Sequence, residues 1–195
     1  MNTEIQMKRQ KNRSKGTLRL ILGALPYVAA AAVLVGPSPA RADLRSPYEG
    51  QVQLGPSLGI NGAPGQLHLG MDFGADPSRT LSFILPFELG LGGGITRIQL
   101  EPGAEGHFRL ISGHPLYLVP RAGLGLGILT GCCQNSGSDF ALALNAGLEL
   151  RYVIKENVAS ASFQPVRFDV YPFGTNQSGA VPAWYAMLIG VTANF

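Results

Sequence analysis

The sequence predicts an all-β protein: an eight-stranded antiparallel up-and-down transmembrane β-barrel that follows an N-terminal signal peptide. Three observations predict this class. Only 14% of the 195 residues are charged while 26 are glycine, hydropathy alternates with a period of two after residue 42, and the chain ends on an aromatic residue. A helical soluble domain carries more charge and less glycine.

The first 42 residues have the organisation of a signal peptide. A basic run ends at Arg19, an apolar stretch covers residues 20–36, and the small-residue motif Ala40-Arg41-Ala42 follows. This order is typical of cleaved export signals. We expect export through the translocon, cleavage after Ala42, and a single barrel domain over residues 43–195.

The overall charge of +3 hides two regions of opposite sign. Seven cations and one anion lie in the first 42 residues, while eight cations and eleven anions lie in the remainder. The basic character therefore belongs to the signal peptide, and the sequence predicts no nucleic-acid partner.

Eight segments after the signal peptide alternate between apolar and polar residues, which is the pattern of half-buried strands. The connections between them carry turn residues such as Asn61-Gly62 and the three glycines at 92–94. The predicted strands cover residues 51–60, 67–75, 80–91, 95–110, 116–129, 140–154, 158–173 and 183–195.

Two of these strands depart from simple alternation. Pro102-Gly103 interrupts the fourth, but the alternation continues across it and favours one long, kinked strand over two. In the seventh strand the apolar face changes phase near Gln164-Pro165, which predicts a β-bulge.

The alternation favours a membrane barrel over a soluble one. The apolar face is continuous along strands that reach the roughly 9–11 residues needed to span a bilayer, and the polar face mixes glycine with both signs of charge. Eight strands enclose an interior that side chains fill, and ion pairing there would avoid isolated buried charges. A soluble periplasmic lipocalin-like binding barrel, with its apolar face inward, is the alternative. The lumen ion-pair candidates are Arg97, Glu101, Glu105, Arg109, Arg121, Glu149, Arg151, Arg167 and Asp169, with Asp72 and Glu88 as further carboxylates on the same face.

The last strand places apolar residues at every second position up to the terminal Phe195. In this it resembles small bacterial outer-membrane barrels of the OmpA, OmpX and OmpW class, whose last strand ends in this way and is read by the barrel-assembly machinery. The resemblance implies a location in the Gram-negative outer membrane, in contact with its lipid, and we expect a monomer. The residues of this assembly signal are Tyr185, Met187, Ile189, Val191, Ala193 and Phe195.

The two cysteines, Cys132 and Cys133, are adjacent and therefore cannot form the long-range staple of a small secreted fold. In an oxidising compartment these cysteines could form either a vicinal disulfide or an intermolecular disulfide. Two thiols alone lack the further ligands of a closed metal site.

No catalytic residue, metal or cofactor is predicted. Residues 55–59 match G-x-S-x-G around Ser57, but the motif lies inside an alternating strand and lacks the strand-to-helix turn of a nucleophile elbow. His68, His107 and His114 have no metal-binding spacing. The sequence therefore favours a non-enzymatic barrel with a structural or surface-binding role. The alternative is passage of small or apolar solutes through a narrow barrel or a lateral opening.

Overall fold

A computed structural model describes residues 48–75, 80–131, 138–156, 158–173 and 181–195. The predicted signal peptide and the pair Cys132-Cys133 lie outside these residues. None of the described residues forms a helix long and apolar enough to cross a membrane.

The described residues form eight strands that close into an antiparallel up-and-down barrel, which confirms the predicted fold class. Each strand pairs with the next in the chain, and the first pairs with the last through registers such as Val52 opposite Val191. The strands are β1 Tyr48–Ile60, β2 Gln66–Ala75, β3 Leu81–Gly92, β4 in three segments (Ile95–Leu100, Gly103–Gly106 and Phe108–Arg109), β5 Leu116–Thr130, β6 Ser138–Lys155, β7 Ala159–Phe173 and β8 Ala183–Asn194.

The fourth strand occupies one position in the barrel, between β3 and β5, as predicted, but its pairing is interrupted. Two prolines lie at this break: Pro86 in β3 is opposite Glu101, and Pro102 follows Glu101 in the gap between the first two segments of β4. Because proline has no N–H, neither residue can donate to the ladder. The Glu101 N–H still donates to the Pro86 carbonyl at 3.1 Å, so the kinked strand stays attached.

The predicted bulge in β7 is confirmed. Ala186 of β8 lies opposite Arg167, whereas Leu188 lies opposite Gln164. Two residues of β7 therefore oppose one residue of β8, which is the definition of a bulge. The same irregularity separates the partners of Leu148 and Leu150 in β6.

Most apolar side chains face outward, and most polar side chains face the lumen. Phe83 is 72% exposed and Leu126 is 68% exposed, whereas Glu88 and Arg97 are completely buried. This is the reverse of a soluble ligand-binding barrel, so the lipocalin-like alternative is not favoured.

Both ends of the described chain lie at one end of the barrel, because Glu49 pairs with Asn194. We call this the proximal end and the opposite one the distal end. Two distal connections are tight turns whose central residues have positive φ: Asn61 and Gly62 at 59° and 87°, and Gly93 and Gly94 at 62° and 78°. Asn-Gly and Gly-Gly suit such hairpin turns because they tolerate this conformation.

Candidate functional site: a filled lumen

Inward-facing positions bring both large charged residues and glycines into the lumen. The glycines provide space for their neighbours. A Cβ atom on Gly127 would lie 2.5 Å from the ring of Tyr171, and one on Gly147 would lie 2.2 Å from the amide nitrogen of Gln164. The glycine content of the strands therefore allows long side chains to cross a barrel of only eight strands.

A proximal cluster gathers around Arg121 and Arg151, both buried. Arg151 contacts Glu49 at 3.1 Å, Glu105 at 3.3 Å and Glu149 at 2.8 Å. Arg121 contacts Asp72 at 2.5 Å and also reaches Glu149 at 3.2 Å. Shared carboxylates therefore link the two guanidinium groups, which spreads the cost of burying each charge over several partners.

A distal cluster gathers around Arg97 and Arg167. Arg167 contacts Glu88 at 2.5 Å, Glu101 at 3.1 Å and Asp169 at 2.9 Å. Arg97 contacts the other oxygen of Asp169 at 3.1 Å. His68 lies between Arg97 and Glu88 and contacts both. The two clusters together contain every sequence-predicted ion-pair residue except Arg109.

Neutral side chains extend the clusters. Gln51 and Gln53 donate hydrogen bonds to the two oxygens of Glu149, at 3.1 and 3.0 Å. Asn145 donates to Glu101 at 2.5 Å, and Gln99 donates to the same oxygen at 3.1 Å. Buried carboxylate oxygens need hydrogen-bond donors. These amide groups supply donors in addition to those of the arginines.

Buried apolar groups lie inside the lumen towards both ends, and we call them the distal and proximal plugs. At the distal end Trp184 packs edge-on against Tyr171, with ring centroids 5.6 Å apart, and donates its indole N–H to the Pro64 carbonyl at 2.9 Å. The Arg97 guanidinium lies 4.8 Å from the centre of the Trp184 ring. At the proximal end Tyr117, Val119 and Val153 form a second buried group.

Among the residues that the structure describes, two sets of three side chains place potential metal ligands within 4.8 Å of one another: His68, Glu88 and Asp169, and Glu49, Glu105 and His107. An arginine already contacts each set. The Arg97 guanidinium contacts His68 and Asp169, and the Arg151 guanidinium contacts Glu49 and Glu105. A divalent cation would have to displace a guanidinium group, so the geometry favours internal ion pairs over a metal centre.

The remaining predicted site residues lie away from the clusters. Arg109 is half-buried near the proximal end and donates to the Tyr117 hydroxyl at 2.7 Å. Ser57 faces the lumen, and its hydroxyl donates to the Gln66 carbonyl at 3.2 Å within regular strand structure. Phe195 is 68% exposed, and its N–H donates to the Tyr48 carbonyl at 3.2 Å. The predicted assembly-signal residues of β8 lie on its outward face: Tyr185, Met187, Ile189, Val191 and Ala193.

Glu49 and Trp184 are two lumen residues that sequence reasoning did not single out. Glu49 lies two residues before the predicted start of the first strand, yet it continues the polar alternation of Gln51 and Gln53 and could have been found on that signal. Trp184 faces inward beside the outward Tyr185. The alternation of the last strand implies this direction, but no signal in the sequence indicates its contact with Tyr171.

The strand number, the closure and the inside-out arrangement of polarity decide the class of fold. The chain has the fold of a small outer-membrane β-barrel. It is similar to Neisserial surface protein A (NspA), with a TM-score of 0.60 and 12% identity over 77% of this chain and 98% of that one. It is also similar to the N-terminal barrel domain of Pseudomonas aeruginosa OprF, with a TM-score of 0.53 and 18% identity over 75% of this chain and 97% of that domain.

A third structure, the outer membrane enzyme PagL, matches with a TM-score of 0.46 and 18% identity over 73% of this chain and 97% of PagL. No protein-family model matches the sequence, and no curated protein is similar enough to match. At these identities the likeness shows the fold alone, and a fold of this kind does not determine function.

Proposed function

We propose that this protein is a non-enzymatic barrel of the Gram-negative outer membrane, with a closed lumen and a structural or surface-binding role in the cell envelope. The observation that carries this proposal is the pair of ion-pair clusters between two apolar plugs. Because side chains occupy the lumen from end to end, the strands form a solid body rather than a pore. A general porin is therefore disfavoured.

The outward apolar surface supports placement in a bilayer. Val52, Leu54 and Leu58 in β1 lie beside Ile189 and Val191 in the neighbouring β8, and all five are at least 44% exposed. Such a surface would promote aggregation in water, whereas acyl chains solvate it at little cost. Outer-membrane lipid, the translocon and the barrel-assembly machinery are the partners that this location requires, and we infer a monomer.

The distinguishing experiment is single-channel recording of the purified, folded protein in planar bilayers. We expect no stable openings. Stable, repeated openings would contradict the closed lumen and favour the alternative, passage of small solutes. The control is heat-modifiable gel mobility of the same preparation, which shows that the barrel was folded when it was added.

Location is tested separately by fractionation of cells that express the full chain. The protein should sediment with the outer membrane and resist extraction at high pH. Recovery in the soluble periplasmic fraction would overturn the proposal.

A further inference from the structure

The outer surface of the barrel carries an apolar groove of about 810 Å³ across β1 to β5. The groove is shallow and open on its outer side. Aromatic and aliphatic side chains form its rims, with Phe73 at 56%, Phe83 at 72% and Leu124 at 52% exposure. Small residues, Ala104 and Ala122, form its floor.

The register explains why the floor is low at this point. Ala75 pairs with Phe83, Phe83 with Ala104, and Ala104 with Ala122, so the exposed Phe83 ring stands beside two adjacent small side chains in one row of the sheet. Tyr48 begins the same row opposite Ala75.

The groove also coincides with the proline break in β4. Pro102 and Gly103 line it directly, and Gly103 packs so closely on β5 that an added Cβ would lie 2.3 Å from the Ala122 carbonyl oxygen. The kinked backbone and the absence of a side chain on Gly103 together leave a depression in the outer surface between the side chains that form the rims. The depression is therefore built by the fold and does not depend on one side-chain rotamer.

We propose that this groove binds one acyl chain of a phospholipid in the periplasmic leaflet. The inference rests on the proposed membrane location, with both termini in the periplasm. The groove reaches from the proximal part of β2 and β3, at Phe73 and Phe83, to the middle of β5, at Leu124. It therefore lies in the half of the barrel wall that the inner leaflet would cover.

The side chains that line the groove favour a hydrocarbon occupant. The groove is continuous with the apolar outer surface of the barrel, and its exposed lining side chains are almost entirely hydrocarbon. A flexible hydrocarbon chain needs no polar partner and can lie in a shallow, open depression of this kind. The groove crosses five strands, so a seated chain would lie against several strands at once.

The experiment uses the full mature barrel in vesicles of phosphatidylethanolamine and phosphatidylglycerol that contain a trace of phospholipid with a photoactivatable acyl chain. Cross-linked peptides are mapped by mass spectrometry. In the wild-type protein we expect at least fivefold more label on the peptides around Phe83 and Leu124 than on the outward residues of β6 and β7. An even distribution of label over the barrel would overturn the proposal.

A matched pair of variants sharpens the result. Ala122→Phe fills the groove floor, whereas Ala161→Phe adds the same ring to an outward position of β7, which pairs with Tyr152 and Val191 outside the groove. We expect Ala122→Phe to remove most of the groove label and Ala161→Phe to retain it. Equal groove labelling of both variants would overturn the proposal. If Ala122→Phe fails to fold, Ala104→Phe takes its place, and the wild-type distribution remains decisive.

Two other outcomes are distinguishable. Absence of label from the whole barrel in vesicles would contradict the membrane location itself, and with it this inference. Protein-to-protein cross-links at the groove, together with a doubled mass in detergent, would show that a second copy occupies it, and would overturn the assignment to lipid.

Discussion

The Arg97 guanidinium donates a hydrogen bond to Nδ1 of His68 at 2.8 Å. Because arginine carries no acceptor and keeps its proton in proteins, Nδ1 must be the unprotonated nitrogen of the ring. The proton of a neutral His68 therefore lies on Nε2, which contacts Glu88. Arg97 thus fixes the tautomer of one buried residue while it pairs with Asp169 and covers the face of Trp184.

Arg97 is predicted to be a major contributor to stability. Replacing it in Arg97→Met keeps most of the volume but leaves Asp169 without one of its cations and His68 without a donor. Breaking a buried pair by removing one partner costs about 3–5 kcal/mol, measurable by urea unfolding of the barrel in vesicles. The control is Arg109→Met, at a half-buried position, where loss of a hydrogen bond costs about 1 kcal/mol. Equal losses in the two variants would contradict the assignment.

Gly127 is predicted to be required for the distal plug. In Gly127→Ala the added methyl group would lie 2.5 Å from the Tyr171 ring, which cannot move without disturbing Trp184. Such overpacking costs about 1–3 kcal/mol. The control is Gly70→Ala, another inward glycine of ordinary φ, where the new Cβ would have its nearest neighbours at 3.7 Å. We expect the free energy of unfolding of Gly70→Ala to lie within about 1 kcal/mol of the wild-type value.

An arginine placed on the outer surface should lower the free energy of unfolding by an amount that depends on its depth in the bilayer. Leu54 lies at the middle of β1, whereas Ile60 ends the same strand on the same face. Leu54→Arg should destabilise the barrel in lipid by about 2–4 kcal/mol, and Ile60→Arg by about 1 kcal/mol or less. The measurement is denaturant unfolding in vesicles. Similar values at the two positions would argue against a membrane-spanning surface.

The terminal residue is predicted to act in assembly. Phe195→Ala should reduce the fraction of heat-modifiable barrel recovered from the outer membrane, and Phe195→Tyr should restore it, because an aromatic ring is retained. Phe140→Ala, which removes an equally exposed ring (70% against 68%) near the distal end of β6, serves as the control. Normal assembly of Phe195→Ala would refute a role for this residue in recognition.

The mature protein is predicted to begin at Asp43. N-terminal sequencing of protein purified from the outer membrane tests this directly, because the small-residue motif at residues 40–42 places the cleavage site. A protein that starts at Met1 would show that the N-terminal segment is retained.

Most of the strand boundaries could be predicted because alternation is a local property. The period of two identifies each strand and its apolar face within about ten residues. It also located the bulge at Gln164-Pro165, where the apolar face changes phase. The kink at Pro102-Gly103 in β4 was predicted, but the second proline at the break was not, since Pro86 lies opposite Glu101 only after β3 and β4 pair.

The sequence by itself determined the number of strands, the inward and outward faces, and most of the charged residues that share the lumen. The tertiary structure decided which carboxylate pairs with which arginine, because closure brings together residues such as Arg151 and Glu49, which are 102 positions apart. It alone also produced the outer groove, since neighbouring strands must align before Ala104 and Ala122 can form one floor. Alternation is encoded along the chain, whereas register is set by packing between strands.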